Sequence, residues 1–150
     1  MRIIVQNVTD AKLSISNRVL ASIGRGYVLL VGFTMGDDEL IVAKMADKVL
    51  KMRLFQDELG KTNLSIIDIQ GEIMAVPQFT LYADLTGGRR PSFTKALIPE
   101  EANRLFEYFF AELQKNYDLV TAGVFGADMK VNLTNDGPFT VLLDSQELGL

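Results

Sequence analysis

The chain of 150 residues contains no cysteine and no histidine. The first absence excludes disulfides, thiolate nucleophiles, zinc ribbons and iron–sulfur ligation. The second removes a Ser-His-Asp triad, a His-ligated metal and a His general base. No apolar run approaches the ~20 residues of a membrane-spanning helix. The opening Met1-Arg2-Ile3-Ile4-Val5-Gln6 has neither the basic start nor the long apolar stretch of a secretory signal, so a cytoplasmic location is expected, with no membrane partner. A net charge of −4 argues against broad nucleic-acid affinity, which depends on Lys and Arg. It leaves room for a local basic surface.

What is present is ordinary for a globular chain: 48% apolar and 23% charged residues, enough for one domain over residues 1–150. Strands are predicted at Arg2 to Val8, Lys12 to Ser16 and Val19 to Ile23, with a turn at Asn17-Arg18. Tyr27 to Phe33 is continuously apolar and reads as a buried central strand. Asp37-Asp38-Glu39 opens an amphipathic helix running to Met52. Met52 to Phe55, Ser65 to Ile69 and Glu72 to Tyr82 read as extended. Pro99 begins a second helix whose Leu105, Phe106, Phe109, Phe110 and Leu113 recur at helical spacing. Strands at Asp118 to Ala122, Met129 to Thr134 and Phe139 to Asp144 complete the chain. The sum is an α+β fold: a mostly antiparallel, barrel-like sheet with two principal helices.

Two segments stand out. Asn135-Asp136-Gly137-Pro138 lies between two apolar runs and reads as a hairpin tip. Gly permits positive φ, Asn and Asp bond their own backbone, and Pro fixes φ. The extra proline presents two consecutive carbonyls in a rigid frame, able to meet a ligand through backbone alone. In Val76-Pro77-Gln78-Phe79-Thr80-Leu81-Tyr82-Ala83-Asp84 a proline interrupts a strand, which implies an edge, an end or a bulge. Backbone N–H groups there suit an oxyanion; a strand with a polar outer face accounts for the same residues. Thr80 as a nucleophile needs an adjacent base. Asp84 is four strand residues away, roughly 13 Å, so hydrogen bonding or packing is the better reading of Thr80.

Three further features carry two readings each. Gly87-Gly88-Arg89-Arg90-Pro91 is a flexible basic loop, suited to phosphate or simply solvated. Phe125-Gly126-Ala127-Asp128-Met129 leaves room for a ligand or marks tight packing. Lys44, Lys48, Lys51 and Arg53 form a solvated stripe. No metal-ligand spacing, Walker loop or dinucleotide fingerprint occurs.

Taken together, these segments resemble the D-aminoacyl-tRNA deacylase family over nearly the whole chain. The resemblance rests on Met1 to Gln6, Met52-Arg53-Leu54-Phe55, Gln78-Phe79-Thr80-Leu81, Gly88-Arg89-Arg90-Pro91-Ser92-Phe93, Phe125-Gly126-Ala127 and Asn135 to Thr140, in that order. It implies a homodimer, with its active site at the subunit interface, that hydrolyses the ester joining a D-amino acid, or glycine, to the 3′ end of tRNA. It implies no cofactor, no metal and no DNA partner. Gly137 and Pro138, joined by a cis peptide, would reach into the partner's pocket, bind the substrate's α-amino end and exclude L-residues. Gln78, Phe79 and Thr80 would line that pocket and polarise the ester carbonyl, while the tRNA's terminal 2′-hydroxyl helps activate water. Pro77, Phe125, Ala127 and Met129 would bind substrate; Arg89 and Arg90 would bind tRNA. Three positions depart from the family pattern. Pro77 stands where Ser is usual, Asn7 where an arginine supports the Gly-Pro tip, and Ala122 where Thr is common. A related animal subgroup that removes L-alanine also has Pro at the first of these. A relaxed proofreader that accepts small L-residues and a non-catalytic tRNA-end binder are therefore the alternatives.

Overall fold

The computed structural model describes all of residues 1–150. Eight strands and two helices follow in order: β1 (Arg2–Ile15), β2 (Arg18–Ile23), β3 (Gly26–Gly32), α1 (Glu39–Lys51), β4 (Arg53–Gln56), β5 (Thr62–Ser65), β6 (Glu72–Pro77), α2 (Pro99–Asn116), β7 (Val120–Ala122) and β8 (Met129–Asp144). A 3-10 turn spans Phe79–Tyr82. The main sheet runs β2-β1-β3-β6-β7, with β8 added beside β1; β4 and β5 pair separately. The sheet is mixed and curls nearly into a barrel: β1 is antiparallel to β2, β3 and β8, whereas β3–β6 and β6–β7 are parallel.

The continuous apolar run of β3 follows from burial on both faces. Tyr27, Leu29 and Val31 join the larger core, beneath α1 and α2, with Val42, Met45, Val49, Phe106 and Phe109. Val28 and the half-buried Leu30 face a smaller cluster with Val8, Leu13, Met74 and Val76. Alternate residues of one strand thus serve two cores, as the two-residue period of a strand requires. Phe109 is fully buried, and its truncation to Ala would cost about 3–5 kcal/mol. The helices start as the sequence indicates. The Asp38 side chain accepts from Ile41 N at 2.9 Å at the head of α1, and Pro99 occupies the first turn of α2. Neither helix is long and apolar enough to cross a membrane.

Three expected elements differ. The strand read at Ser65 to Ile69 contributes only Ser65, the last residue of β5. The Asp68 carboxylate accepts from Ser65 N at 2.8 Å and Ser65 Oγ at 2.7 Å, and this local bonding turns the chain where apolar content suggested extension. The strand expected from Glu72 to Tyr82 stops at Pro77. The two runs around Asn135-Asp136-Gly137-Pro138 are one strand, β8, and both pair with β1 in the same sense. The chain does not reverse there, so the segment is an excursion from a strand and not a hairpin tip. Thr140 pairs with Gln6 and Asn135 with Val8. Five steps on β8 thus oppose two on β1, and three extra residues are pushed out of the ladder.

Candidate active site

The end of β6 sets up the first part of the site. β7 accompanies β6 only as far as Ala75, opposite Ala122. Pro77, paired with Val31 of β3, therefore lacks its N–H where no ladder on that side requires it. Gln78 N then donates to Val31 O at 2.7 Å, and the chain tightens into the 3-10 turn. The leading N–H groups of such a turn, here those of Phe79 and Thr80, have no intrahelical acceptors, and no side chain caps them. The Gln78 amide donates instead to Thr80 Oγ1.

Two features hold the turn against the sheet. Arg2 Nη1 donates to Leu81 O at 3.1 Å, and its guanidinium lies 4.8 Å from the centre of the Tyr82 ring. Arg2 Nε is fixed in turn by Asp144 at 2.7 Å. Gly32 supplies the second feature: a Cβ there would lie 2.8 Å from Gln78 O and 3.2 Å from Leu81 Cβ. Neither residue is identified in the sequence reading. The signal for Gly32 was available, since an isolated glycine in a strand pattern marks close backbone approach.

Pro77, Gln78 and Phe79 form one wall of a cleft of ≈ 530 Å³. The opposite wall comes from Ala127 and from Met129, Val131 and Leu133 of β8. Gly123 backs this wall, where a Cβ would lie only 2.7 Å from Met129 Sδ. Five of the expected residues are thus brought together. Thr80 follows directly in the turn and is exposed. Its hydroxyl has no carboxylate partner, and Asp84 is committed elsewhere, accepting from Lys95 Nζ at 2.8 Å and from Thr86 N and Oγ1 at 2.9 and 2.7 Å. These bonds hold the Asp84 carboxyl well below the usual carboxylate range, Lys95 contributing most.

Phe125 stands apart, in another cleft with Phe106, Phe110 and Ala122. Arg89 and Arg90 are exposed, on a loop closed at its base by paired backbone bonds of 2.8 Å between Asp84 and Ser92. The loop is tied to the cleft rim through Phe93, whose ring meets Phe79 edge-on with centroids 4.9 Å apart.

Gly137, whose peptide bond to Pro138 is cis, lies elsewhere in the same chain. It lines a smaller cavity of ≈ 150 Å³ with Asp136, Phe139, Asn7, Arg25 and Leu54. Asn135 organises the excursion. Its Oδ1 accepts from Phe139 N at 2.6 Å, and its Nδ2 donates to Gln6 Oε1 and to Thr140 Oγ1. Thr140 Oγ1 also donates to Gln6 Oε1 at 2.8 Å. Gly137 has φ +130° and is crowded by Phe139 N at 3.0 Å from a Cβ position, so only glycine fits without strain. Asn7, at the position expected to support this segment, is buried and donates from Nδ2 to Leu54 O at 2.9 Å.

The chain can be compared with known proteins on this basis. The family described as D-Tyr-tRNA(Tyr) deacylase matches residues 4–144. The D-aminoacyl-tRNA deacylase of Lactobacillus acidophilus is 50% identical over 144 residues, covering 96% of this chain and 99% of the relative. That of Thermosipho melanesiensis is 44% identical over 149 residues, 99% of each chain. A solved structure of c-Myc DNA Unwinding Element Binding Protein aligns with a TM-score of 0.91 at 37% identity, over 96% of this chain and 98% of that one. A probable eukaryotic D-amino acid tRNA deacylase shares the fold, with a TM-score of 0.83 at 16% identity over 95% and 97%. Fold and relatives define a hydrolase that acts on the ester of aminoacyl-tRNA. The chain belongs to the D-Tyr-tRNA(Tyr) deacylase family, and its activity is that of a D-aminoacyl-tRNA deacylase.

Proposed function

We propose that the cleft beside the 3-10 turn receives the aminoacylated 3′ end of a tRNA, and that Gly137 and Pro138 of a second subunit complete it. The observation that carries this reading is the separation of the two parts. Within one chain, Gln78 and Phe79 line one cavity and Gly137 lines another. A site needing both is made by a pair of chains. The outer edge of β8 supports such pairing: it has no strand partner, and Val131, Leu133, Phe139 and Val141 are only half-buried along it.

In the assembled site the N–H groups of Phe79 and Thr80 polarise the ester carbonyl, which stabilises the charge that develops as water attacks. Ala127 and Met129 bound the amino-acid end. The two tip carbonyls stand where an L side chain would project, so D-residues and glycine enter and L-residues collide. Glycyl-tRNA is accordingly a substrate. The terminal 2′-hydroxyl of the tRNA assists activation of water, in keeping with a chain without histidine. Arg89 and Arg90 bind the tRNA backbone, and the enzyme works in the cytoplasm.

The test is ester loss from D-Tyr-tRNA, Gly-tRNA and L-Ala-tRNA. Release from the first two alone is expected; release from L-Ala-tRNA as well would make the protein a relaxed proofreader, and binding without release would make it a tRNA-end binder. Mixed dimers test the assembly. A Gln78→Ala pocket variant and a Gly137→Ala tip variant, each impaired alone, regain activity on mixing, because one of the two sites in a mixed dimer is intact. Failure to regain activity in verified mixed dimers would overturn the shared site.

A further inference from the structure

We propose that Phe93, braced by Phe79, is a stacking platform for the nucleotides that precede the terminal adenosine of the tRNA 3′ end. This inference rests on the reading that the cleft takes that end. Single exposed apolar side chains are ordinary, but two aromatic rings in contact at a cleft mouth form a continuous patch. Phe79 is 51% and Phe93 37% exposed. Their edge-to-face contact at 4.9 Å fixes both rings in one orientation at the mouth of the cleft that Phe79 lines.

The platform is built on fixed ground. Ser92, next to Phe93, is held by both 2.8 Å backbone bonds to Asp84, and Ala96 N donates to Phe93 O at 3.0 Å. Asp84 is itself held by Lys95 and Thr86. The charge beside the rings has the right sign. Arg89 and Arg90 are exposed and neither takes part in the ion pairs of the fold, unlike Arg2, Arg104, Lys95 and Lys130. An aromatic face with free arginines alongside suits a single-stranded end, because bases stack on the ring while the guanidinium groups meet phosphates. In a chain of net charge −4, that preference is local. The occupant is therefore single-stranded RNA leaving the cleft, and not duplex or protein.

The experiment measures binding of a fluorescent single-stranded RNA of about eight nucleotides ending in CCA to the full-length protein, against an abasic strand of equal length. Phe93→Ala and Phe93→Leu should each weaken binding of the base-containing RNA about tenfold and leave the abasic strand little changed. Phe93→Tyr should stay within about twofold of the wild type, since it keeps the ring. A Leu variant that binds like the wild type, or an Ala loss matched on the abasic strand, would overturn the platform. In parallel, deacylation of a D-tyrosyl minihelix is compared with that of D-tyrosyl-adenosine, which lacks the preceding nucleotides. Phe93→Leu should raise the KM of the minihelix about tenfold and leave that of D-tyrosyl-adenosine little changed, so that the ratio between them narrows. An unchanged ratio rejects the platform while the deacylase reading stands. Ring-dependent RNA binding by a protein that hydrolyses neither ester rejects the deacylase reading while the platform stands.

Discussion

Asn7 and Tyr27 face each other across the β1–β3 ladder, and each ends in a buried polar atom with no hydrogen-bond partner, Asn7 Oδ1 and Tyr27 Oη. The remainder of each side chain is well used. Asn7 Nδ2 donates to Leu54 O, and the Tyr27 ring stacks on Phe55 with centroids 5.0 Å apart. Burial pushes the Tyr27 phenol up, so it stays protonated. A hydroxyl with no partner and an amide whose nitrogen is paired predict opposite responses to mutation. Tyr27→Phe should leave stability unchanged within about 0.5 kcal/mol, or raise it, because only a desolvated group is lost. Asn7→Ala should cost about 1–2 kcal/mol, because Leu54 O loses its donor. Urea midpoints of the two variants check this, and a Tyr27→Phe loss larger than the Asn7→Ala loss would contradict it.

Gly32 controls the position of the 3-10 turn. Gly32→Ala drives a methyl against Gln78 O and Leu81 Cβ, at 2.8 and 3.2 Å. Overpacking of this kind costs about 1–3 kcal/mol, and here the side able to yield is the turn. Deacylation of D-Tyr-tRNA should fall by at least about tenfold, since a misplacement of order 1 Å can cost more than that. Far-ultraviolet circular dichroism should remain that of the wild type. Full activity in the variant would show that the turn is not where the chemistry is set.

Asn135 holds the excursion of β8 through bonds to Phe139 N, Gln6 and Thr140. Asn135→Ala releases all three. Stability should fall by only about 1–2 kcal/mol, as expected for neutral side-chain bonds at a partly buried site. Discrimination should suffer more, with the ratio of D-Tyr-tRNA to L-Tyr-tRNA hydrolysis dropping about tenfold or more. Unchanged discrimination would remove the excursion from the chiral filter.

Acid should destabilise the protein and neutral pH should not. Burial raises Asp144, but its bonds from Arg2 and Gln146 N outweigh this and leave it below the usual range. Lys95 and Thr86 depress Asp84, Ser65 depresses Asp68, and the backbone of Lys61 depresses Asp57. Each of these carboxyls has a folded pKa below its unfolded value. The unfolded chain then binds more protons in that range, so this stability is fully present above about pH 4 and is lost as pH falls through the folded values. With no histidine, no side chain of ordinary pKa titrates between pH 5 and 8. Urea midpoints should be flat from pH 5 to 8 and drop toward pH 3. A slope between pH 6 and 8 would contradict the assignment.

The two helices and most strands were legible because their signals are local: the acidic Asp37-Asp38-Glu39 at the head of α1, Pro99 at a first turn, and the apolar period of α2. The cleft wall of Pro77, Gln78 and Phe79 was legible because proline in a strand is a rare local event. What escaped depends on long-range pairing. Arg2 reaches Leu81 and Asp144 across the sheet, and nothing adjacent in sequence announces it. Asn135-Asp136-Gly137-Pro138 has the chemistry of a reversal. Only pairing with β1, more than a hundred residues away, decides that the chain continues forward. Asp68 turned the apolar run after Ser65 through a bond that the run's composition does not signal.

β8 carries both the far wall of the cleft, at Met129 to Leu133, and the excursion at Gly137 and Pro138. The two are graduated on one rigid rule, and the offset between them is set by its pairing with Gln6 and Val8 of β1. Their spacing is therefore not a loop property that can drift. A four-residue transplant of Asn135 to Pro138 into another sheet would carry the shape but not the reach. The transferable module is the β1–β8 ribbon, and an insertion anywhere between Leu133 and Gly137 would move the excursion out of step with the cleft wall.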